Sequence, residues 1–390
     1  MFVSDATVDR LNRSTCIPRD IIFTKKGTLG QVGIVPPRPY EKYLLSSNQM
    51  RLRVNEAIAN SDYVYYALST YDSISKIIRE AEHTGVPKIN LAYIRRFRIP
   101  LPPRSAQDQI CGIISALDNR IDVLRQTNAT LESIAQALFK SWFIDFDPVR
   151  VKAEGREPEG MDAATTALFP AEFEESALGL IPKGWTYRSA EELFDVGIGK
   201  TPPRKEPQWF SEDNGDVRWL SIKDMGDEGT IATRSSEFLS DEAVAKFNVR
   251  VVPTHTVLMS FKLTVGRLCI TDGPMCTNEA IAHFKARKDS PQFTYLYCYL
   301  KAFDFRTLGS TSSIADATNS KAVKALPVLV PPKELVTVFH QTVEALFEKM
   351  YVQKAHWRRL EELRDSLLPR LISGKLRLPE AQAQLEEAIA

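Results

Sequence analysis

Cysteine is scarce in this 390-residue chain. Cys16, Cys111, Cys269, Cys276 and Cys298 are scattered, with no C-x-x-C pair and no histidine at ligand spacing, so neither a disulfide framework nor a structural metal is expected. Long apolar runs are missing as well. No stretch reaches the roughly 18 residues a membrane helix needs, and Met1 to Asp20 lacks the charged start, apolar middle and small-residue cleavage site of a secretory signal. A cytoplasmic protein with no membrane partner is the expectation. Net charge is almost absent, with 50 Lys and Arg against 49 Asp and Glu, but it is unevenly spread. Residues 1–101 hold 15 basic and 9 acidic side chains, whereas residues 181–330 hold 19 and 18. The first segment therefore has the surplus for a basic patch, while the second must sort its charges by face. Catalytic signatures are wanting too. There is no G-x-x-x-x-G-K-[ST], no H-E-x-x-H and no G-x-S-x-G. Gly197-x-Gly199 has no third glycine, Asp145-Phe146-Asp147-Pro148 is not the loop a methyltransferase needs, and His83, His255, His283, His340 and His356 lie far apart in sequence. No enzyme and no bound cofactor or metal is expected of this chain.

What the chain does have is a stripe. Ile110, Ile114, Leu117, Ile121, Leu124, Asn128, Leu131, Ala135, Leu138 and Trp142 advance in steps of four and three, the 3.5-residue period that lays one seam along a helix facing a partner helix. Adding 229 to each number gives Phe339, Val343, Leu346, Met350, Gln353, Trp357, Leu360, Arg364, Leu367 and Leu371, and the stripe recurs in register. The same offset carries Pro102-Pro103 onto Pro331-Pro332 and Asn90 onto Asn319. The chain thus reads as two repeats, with Asn128, opposite Trp357 in that offset, a polar exception that sets register. The two long helices are expected to pair with each other, because an isolated amphipathic helix is poorly stable in water. Pro148 ends the first; Pro369 kinks or stops the second and Gly374 closes it.

Around the helices the reading is α+β. Runs at 20–23, 31–35 and 50–54 have the β-branched composition of strands, and the spacing from Asp62 to Arg79 predicts a helix. The second segment repeats this order, with strand-like pieces at 217–222, 255–261, 267–270 and 280–284 and a helix at 293–303. The expected organisation is a first globular domain at 1–101, a central long helix at 102–147, a linker at 148–180, a second globular domain at 181–330, a C-terminal long helix at 331–374 and a tail at 375–390. By the repeat's logic Met1 falls inside a domain, so the first copy is expected to be incomplete at its start.

Polar residues at turns recur in both copies. Lys25, Lys26 and Thr28 precede Gly30, and Lys262, Thr264 and Arg267 bracket Gly266. Glycine lets a backbone approach closely, while flanking Lys, Thr and Arg bond phosphate oxygens or base edges. Lys200, Thr201, Arg204 and Lys205 form a second basic loop, stiffened by Pro202 and Pro203. Two similar units on two paired helices make a pseudo-twofold particle suited to an elongated, two-part ligand. Duplex DNA, with like grooves about 34 Å apart per turn, is such a ligand. The competing reading is a coiled-coil scaffold carrying two protein-binding modules. Salt separates them, because phosphate contacts weaken steeply with added salt.

At this point the residues resemble a known family, the DNA specificity subunits of type I restriction-modification systems. The likeness covers almost the whole chain. It rests on Gly199-Lys200-Thr201-Pro202 with Val217-Arg218-Trp219-Leu220, on Thr277-Asn278-Glu279-Ala280 and Ser47-Asn48-Gln49, on Gly309-Ser310-Thr311, and on Ile99-Pro100-Leu101-Pro102-Pro103. It rests above all on the run from Ala135 to Pro148, similar to the family's central spacer. The resemblance implies two target-recognition domains that read a split double-stranded DNA site, held apart by an antiparallel pair of coiled-coil helices. It implies no catalysis by this chain. Partner methylation subunits, expected as a pair, bring S-adenosylmethionine and methylate adenine; restriction subunits bring ATP, Mg and cleavage. The surfaces around 139–146 and 356–367 are expected to dock the methylation subunits. The chain departs from the family pattern at Glu279 and Val336 and in lacking a first-copy counterpart of residues 181–216.

Overall fold

A computed structural model of the protein describes residues 3–82, 85–212, 216–308 and 318–389. Two helices of 40 residues each, Arg104–Phe143 and Lys333–Ile372, run about 60 Å at 1.5 Å per residue. The chain divides into two compact units, Met1–Arg125 with Ala355–Ala390 and Gln126–Lys354. Each long helix therefore contributes a stretch to both.

In the first unit, Ile21–Thr24 pairs antiparallel with Val32–Ile34 on one side and Gln49–Leu52 on the other. Asp20, at the mouth of this sheet, is buried and takes a two-pronged grip from Arg53, Nε to Oδ1 at 2.7 Å and Nη2 to Oδ2 at 2.6 Å. The helix expected over 62–79 is two helices, Ser61–Ser69 and Tyr71–Arg79. Thr70 between them is extended, and its hydroxyl accepts the Ser73 N–H, so it starts a new helix rather than continuing the old one. Ile21, Phe23, Met50, Tyr63 and Ile77 form one core with Ile110, Ile114, Leu117, Ile121 and Leu124 of the first long helix. Trp357, Leu360, Leu367 and Leu371 of the second long helix belong to the same core. Residues of both long helices thus share this core, and ion pairs run from Arg125 to Glu361 and from Arg364 to Asp118.

The second unit repeats the three-strand arrangement. Val257–Ser260 lies antiparallel between Leu268–Thr271 and Ile281–Ala286, and Ile231–Ala232 and Phe194–Ile198 extend the sheet to five strands. A four-stranded sheet that includes Val217–Leu220 accompanies it. Asn90 and Asn319, 229 apart, do the same job in the two units. Each caps a short helix, Asn90 accepting the Tyr93 N–H at 2.9 Å and Asn319 the Ala322 N–H at 2.8 Å. Phe339, Val343 and Phe347 pack with Ala135, Phe139 and Phe143 in this unit's main core, with Leu138 and Leu346 partly buried against it. Leu131 is half-buried and Met350 is buried.

Several expectations need correction. Residues 148–180 are not a bare linker: they hold helices Asp147–Ala153 and Ala163–Ala167 and a hairpin of Phe173–Ser176 with Gly179–Pro182. Val149 and Phe169 are buried, but elements of one or two turns are too short to show a period. Phe139, Trp142, Phe143 and Phe146 are not free for a partner. They close an aromatic core, Phe143 with its ring centroid 5.8 Å from that of Trp185 and 5.3 Å from that of Phe339. Trp357, Leu360 and Leu367 are likewise interior. The helix continues through Pro369 to Ile372, and Gly374 follows at φ 72°. The expected tail is the helix Leu378–Ile389, whose Ala381 and Leu385 join the first unit's core. Asn128 is buried, and its side-chain amide donates to the Met350 carbonyl at 3.0 Å, so Met350 is its partner. The signature Gly309-Ser310-Thr311 lies outside the described residues.

Candidate nucleic-acid interface

The first unit carries a groove of about 660 Å³ beside its small sheet. Arg13, Lys25, Lys26, Arg51 and Lys88 line it, with Gln49 and Asn90, and none of its lining residues is acidic. Local folding explains the convergence. Lys25 leaves the central strand, where its N–H donates to the Asn48 carbonyl at 2.8 Å and its carbonyl accepts the Ile89 N–H at 2.9 Å. That last bond and the Lys26–Lys88 bridge draw the segment around Lys88 alongside the strand end. Arg51 sits on the adjacent strand, and its guanidinium donates to the Thr15 carbonyl. Lys88 is paired at the rim with Glu82, 3.2 Å away and half-exposed. Of the residues expected here, Lys25 and Lys26 line the groove, while Thr28 is exposed on the same turn outside its lining. Arg13, Arg51 and Lys88 were not legible as site residues, because only the pairing of distant strands brings them together.

In the second unit two motifs singled out in the sequence meet. A Cβ on Gly199 would lie 2.1 Å from the Thr277 Oγ1 and from the Asn278 carbonyl oxygen, so only glycine fits this crossing. The Lys200 N–H donates to the Thr277 carbonyl at 2.8 Å, and the Trp219 indole N–H to the Lys200 carbonyl at 3.1 Å. With the loop so held, the Thr201 hydroxyl donates to Glu279. Partial burial pushes the Glu279 carboxyl up, but the Thr201 bond, its own backbone N–H and the charges of Lys262 and Arg204 outweigh this, holding its pKa below the ordinary value. Thr201 and Arg204 from one loop and Lys262 from another therefore share one neighbourhood around Glu279.

The other expected residues divide. Lys205, Lys262 and Thr264 are exposed. Lys200 Nζ donates to the Phe247 carbonyl at 2.6 Å. Arg204 grips Glu237 with both terminal nitrogens, at 2.5 and 2.9 Å, and lies over the rings of Phe210 and Trp219 at 4.1 and 4.5 Å. Arg267 turns inward, donating from Nη1 to the Ile222 carbonyl at 2.6 Å. In this structure these three brace the loops. Beneath them His283 is buried on Thr277, Oγ1 to Nε2 2.7 Å, and desolvation pulls its pKa down to about 3. The five cysteines are buried and free. Among the described residues no helix is long and apolar enough to cross a membrane.

The family model for the type I restriction modification DNA specificity domain matches residues 13–133 and 182–371. The chain belongs to that family. It is 28% identical over 380 residues to the type I restriction enzyme HindI specificity subunit of Haemophilus influenzae, an alignment covering 86% of this chain and 82% of the relative. To the MjaIX specificity subunit of Methanocaldococcus jannaschii it is 24% identical over 372 residues, with 92% and 78% covered. Among solved structures, an S subunit of a type I restriction-modification system from M. genitalium is similar at a TM-score of 0.49 and 16% identity, covering 91% of this chain and 83% of that one.

Proposed function

We propose that this chain is the DNA sequence-recognition subunit of a methylation and restriction assembly, with no chemistry of its own. The observation that carries this reading is the first unit's groove, with five cations and no acid among its lining residues, in a chain whose net charge is only +1. A phosphate backbone is the ligand that such a groove suits, because Lys and Arg there bond phosphates, while the Gln49 amide nitrogen is a donor for a base edge. On this reading each unit reads one part of a split site, and the long helices pair as an antiparallel coiled coil that spaces them. The two units are copies of one internal repeat, supported by the matching strand triplets and the equivalent caps Asn90 and Asn319. Methylation subunits, two of them, and restriction subunits dock on the chain; S-adenosylmethionine, ATP and Mg belong to those partners.

The test is salt-dependent duplex binding by the chain assembled with its methylation subunits. Lys25→Glu, Lys26→Glu and Lys88→Glu together are expected to weaken binding by about a hundredfold or more and to flatten the plot of log affinity against log salt by about three units of slope. Unchanged affinity and slope would remove the groove from the interface.

A further inference from the structure

The loop joining Val257–Ser260 to Leu268–Thr271 holds a leucine where its backbone is least suited to one. The Thr264 N–H donates to the Lys262 carbonyl at 2.7 Å, closing a three-residue turn around Leu263, whose φ is 64°. Such a turn is rare and strained for a residue with a branched side chain. The strain is not repaid by burial, since Leu263 is 76% exposed. Nor is the loop free to relax. Its base is fixed by the Gly266 N–H to the Ser260 carbonyl at 2.9 Å, by the Ser260 hydroxyl to the Thr264 carbonyl, and by the Arg267 N–H to Ser260 Oγ at 3.1 Å. Gly266 lies so close to Phe305 that a Cβ would stand 2.6 Å from its ring. The equivalent loop of the first unit, at an offset of 236, has Gly27 in this place, at φ 95° and with open space around a Cβ. Both tips are flanked by the same residue types, Lys26 and Thr28 in one, Lys262 and Thr264 in the other. Lys26 and Thr28 thus recur as Lys262 and Thr264, while the tip between them changes from glycine to leucine.

We propose that Leu263 is an apolar wedge that enters between two stacked bases of duplex DNA, with Lys262 and Thr264 seated on the flanking phosphates. The inference rests on the DNA-recognition reading and adds to it a local unstacking confined to the part of the site the second unit reads. Apolar side chains inserted at a base step unstack it and kink the duplex, giving sequence preference through deformability rather than through hydrogen bonds. A nucleic acid fits better than a protein pocket because the tip stands between exposed lysine and threonine side chains, near Thr201 and Arg204 around Glu279.

The test uses the chain assembled with its methylation subunits and a duplex carrying the site methylated in cells that hold the intact system, with 2-aminopurine at successive positions. The wild-type complex is expected to raise fluorescence at one step of a single half-site. Leu263→Gly, which suits the backbone, is expected to abolish that rise and lower affinity about tenfold while leaving the unfolding temperature unchanged or higher. Leu263→Met is expected to keep both signals. If Leu263→Gly binds and unstacks like wild type, the wedge is wrong and DNA recognition stands. If it fails to assemble with the methylation subunits, Leu263 is a protein contact and the wedge is overturned. If the wild-type complex shows no site-selective duplex binding, the DNA reading itself falls.

Discussion

His283 sits under the second unit's loops with no exposed surface, and burial pulls its pKa down to about 3 from an ordinary 6.5. It is a base held neutral in the fold. Above pH 6.5 it is neutral whether folded or not, and it costs nothing. As pH falls through 6.5 only the unfolded chain takes the proton, so stability drops by about 1.4 kcal/mol per pH unit until the folded value is reached. Denaturant unfolding of the second unit is expected to lose roughly 2 kcal/mol between pH 7 and pH 5 from this group. His283→Gln, which keeps a partner for Thr277, is expected to remove that part of the slope. An unchanged slope would place the titration elsewhere. Residue identity alone could not supply this, because the histidine's role depends on the five-stranded sheet that buries it.

Among the elements, the second long helix is tied to the second unit's globular part by a buried charge pair. Lys354 and Glu228 have side chains 2% and 5% exposed; Nζ donates to the Glu228 carbonyl at 2.7 Å and lies 3.4 Å from its carboxylate. The same carboxylate accepts the Thr233 N–H and hydroxyl at 2.8 and 2.7 Å. Nearby, Glu132 of the first long helix accepts from Thr230 and Tyr297, at 2.6 and 2.7 Å, so both helices are clamped to one stretch. Lys354→Met removes the cation beside a buried carboxylate and is expected to cost about 3–5 kcal/mol, read by hydrogen exchange across Leu268–Thr271. Adding Glu228→Gln is expected to recover much of the loss. A single variant as stable as wild type would show the pair to be incidental. Neither residue was picked out by its sequence, since Lys354 lies one position beyond a seam residue and reads as solvated.

For the molecule as a whole, the proposed spacing function makes a geometric prediction. If the long helices set the separation of the two readers, deleting one heptad from each shortens the unread spacer between half-sites and leaves both half-sites unaltered. Methylome sequencing of cells carrying the shortened system reports this directly, and an unchanged spacer would sink the idea. A whole heptad is needed because a smaller deletion rotates the seam off its partner face.

The buried face of the first long helix was legible because burial along a helix imposes a period, and Ile110, Ile114, Leu117, Ile121 and Leu124 are all buried. The paired prolines were legible for a similar reason, since helix starts need particular residues locally, whereas Asn90 and Asn319 showed only as a matched pair and the structure gave them their capping role. Tertiary structure decided what local chemistry leaves open. It gathered Arg13, Arg51 and Lys88 with Lys25 into one groove, turned Arg267 inward, spent Arg204 on Glu237, and closed the aromatics of 139–146 into a core. A cation's sequence neighbours do not say whether it will meet a carboxylate or open water, because its partner comes from a stretch of chain that only the fold brings near.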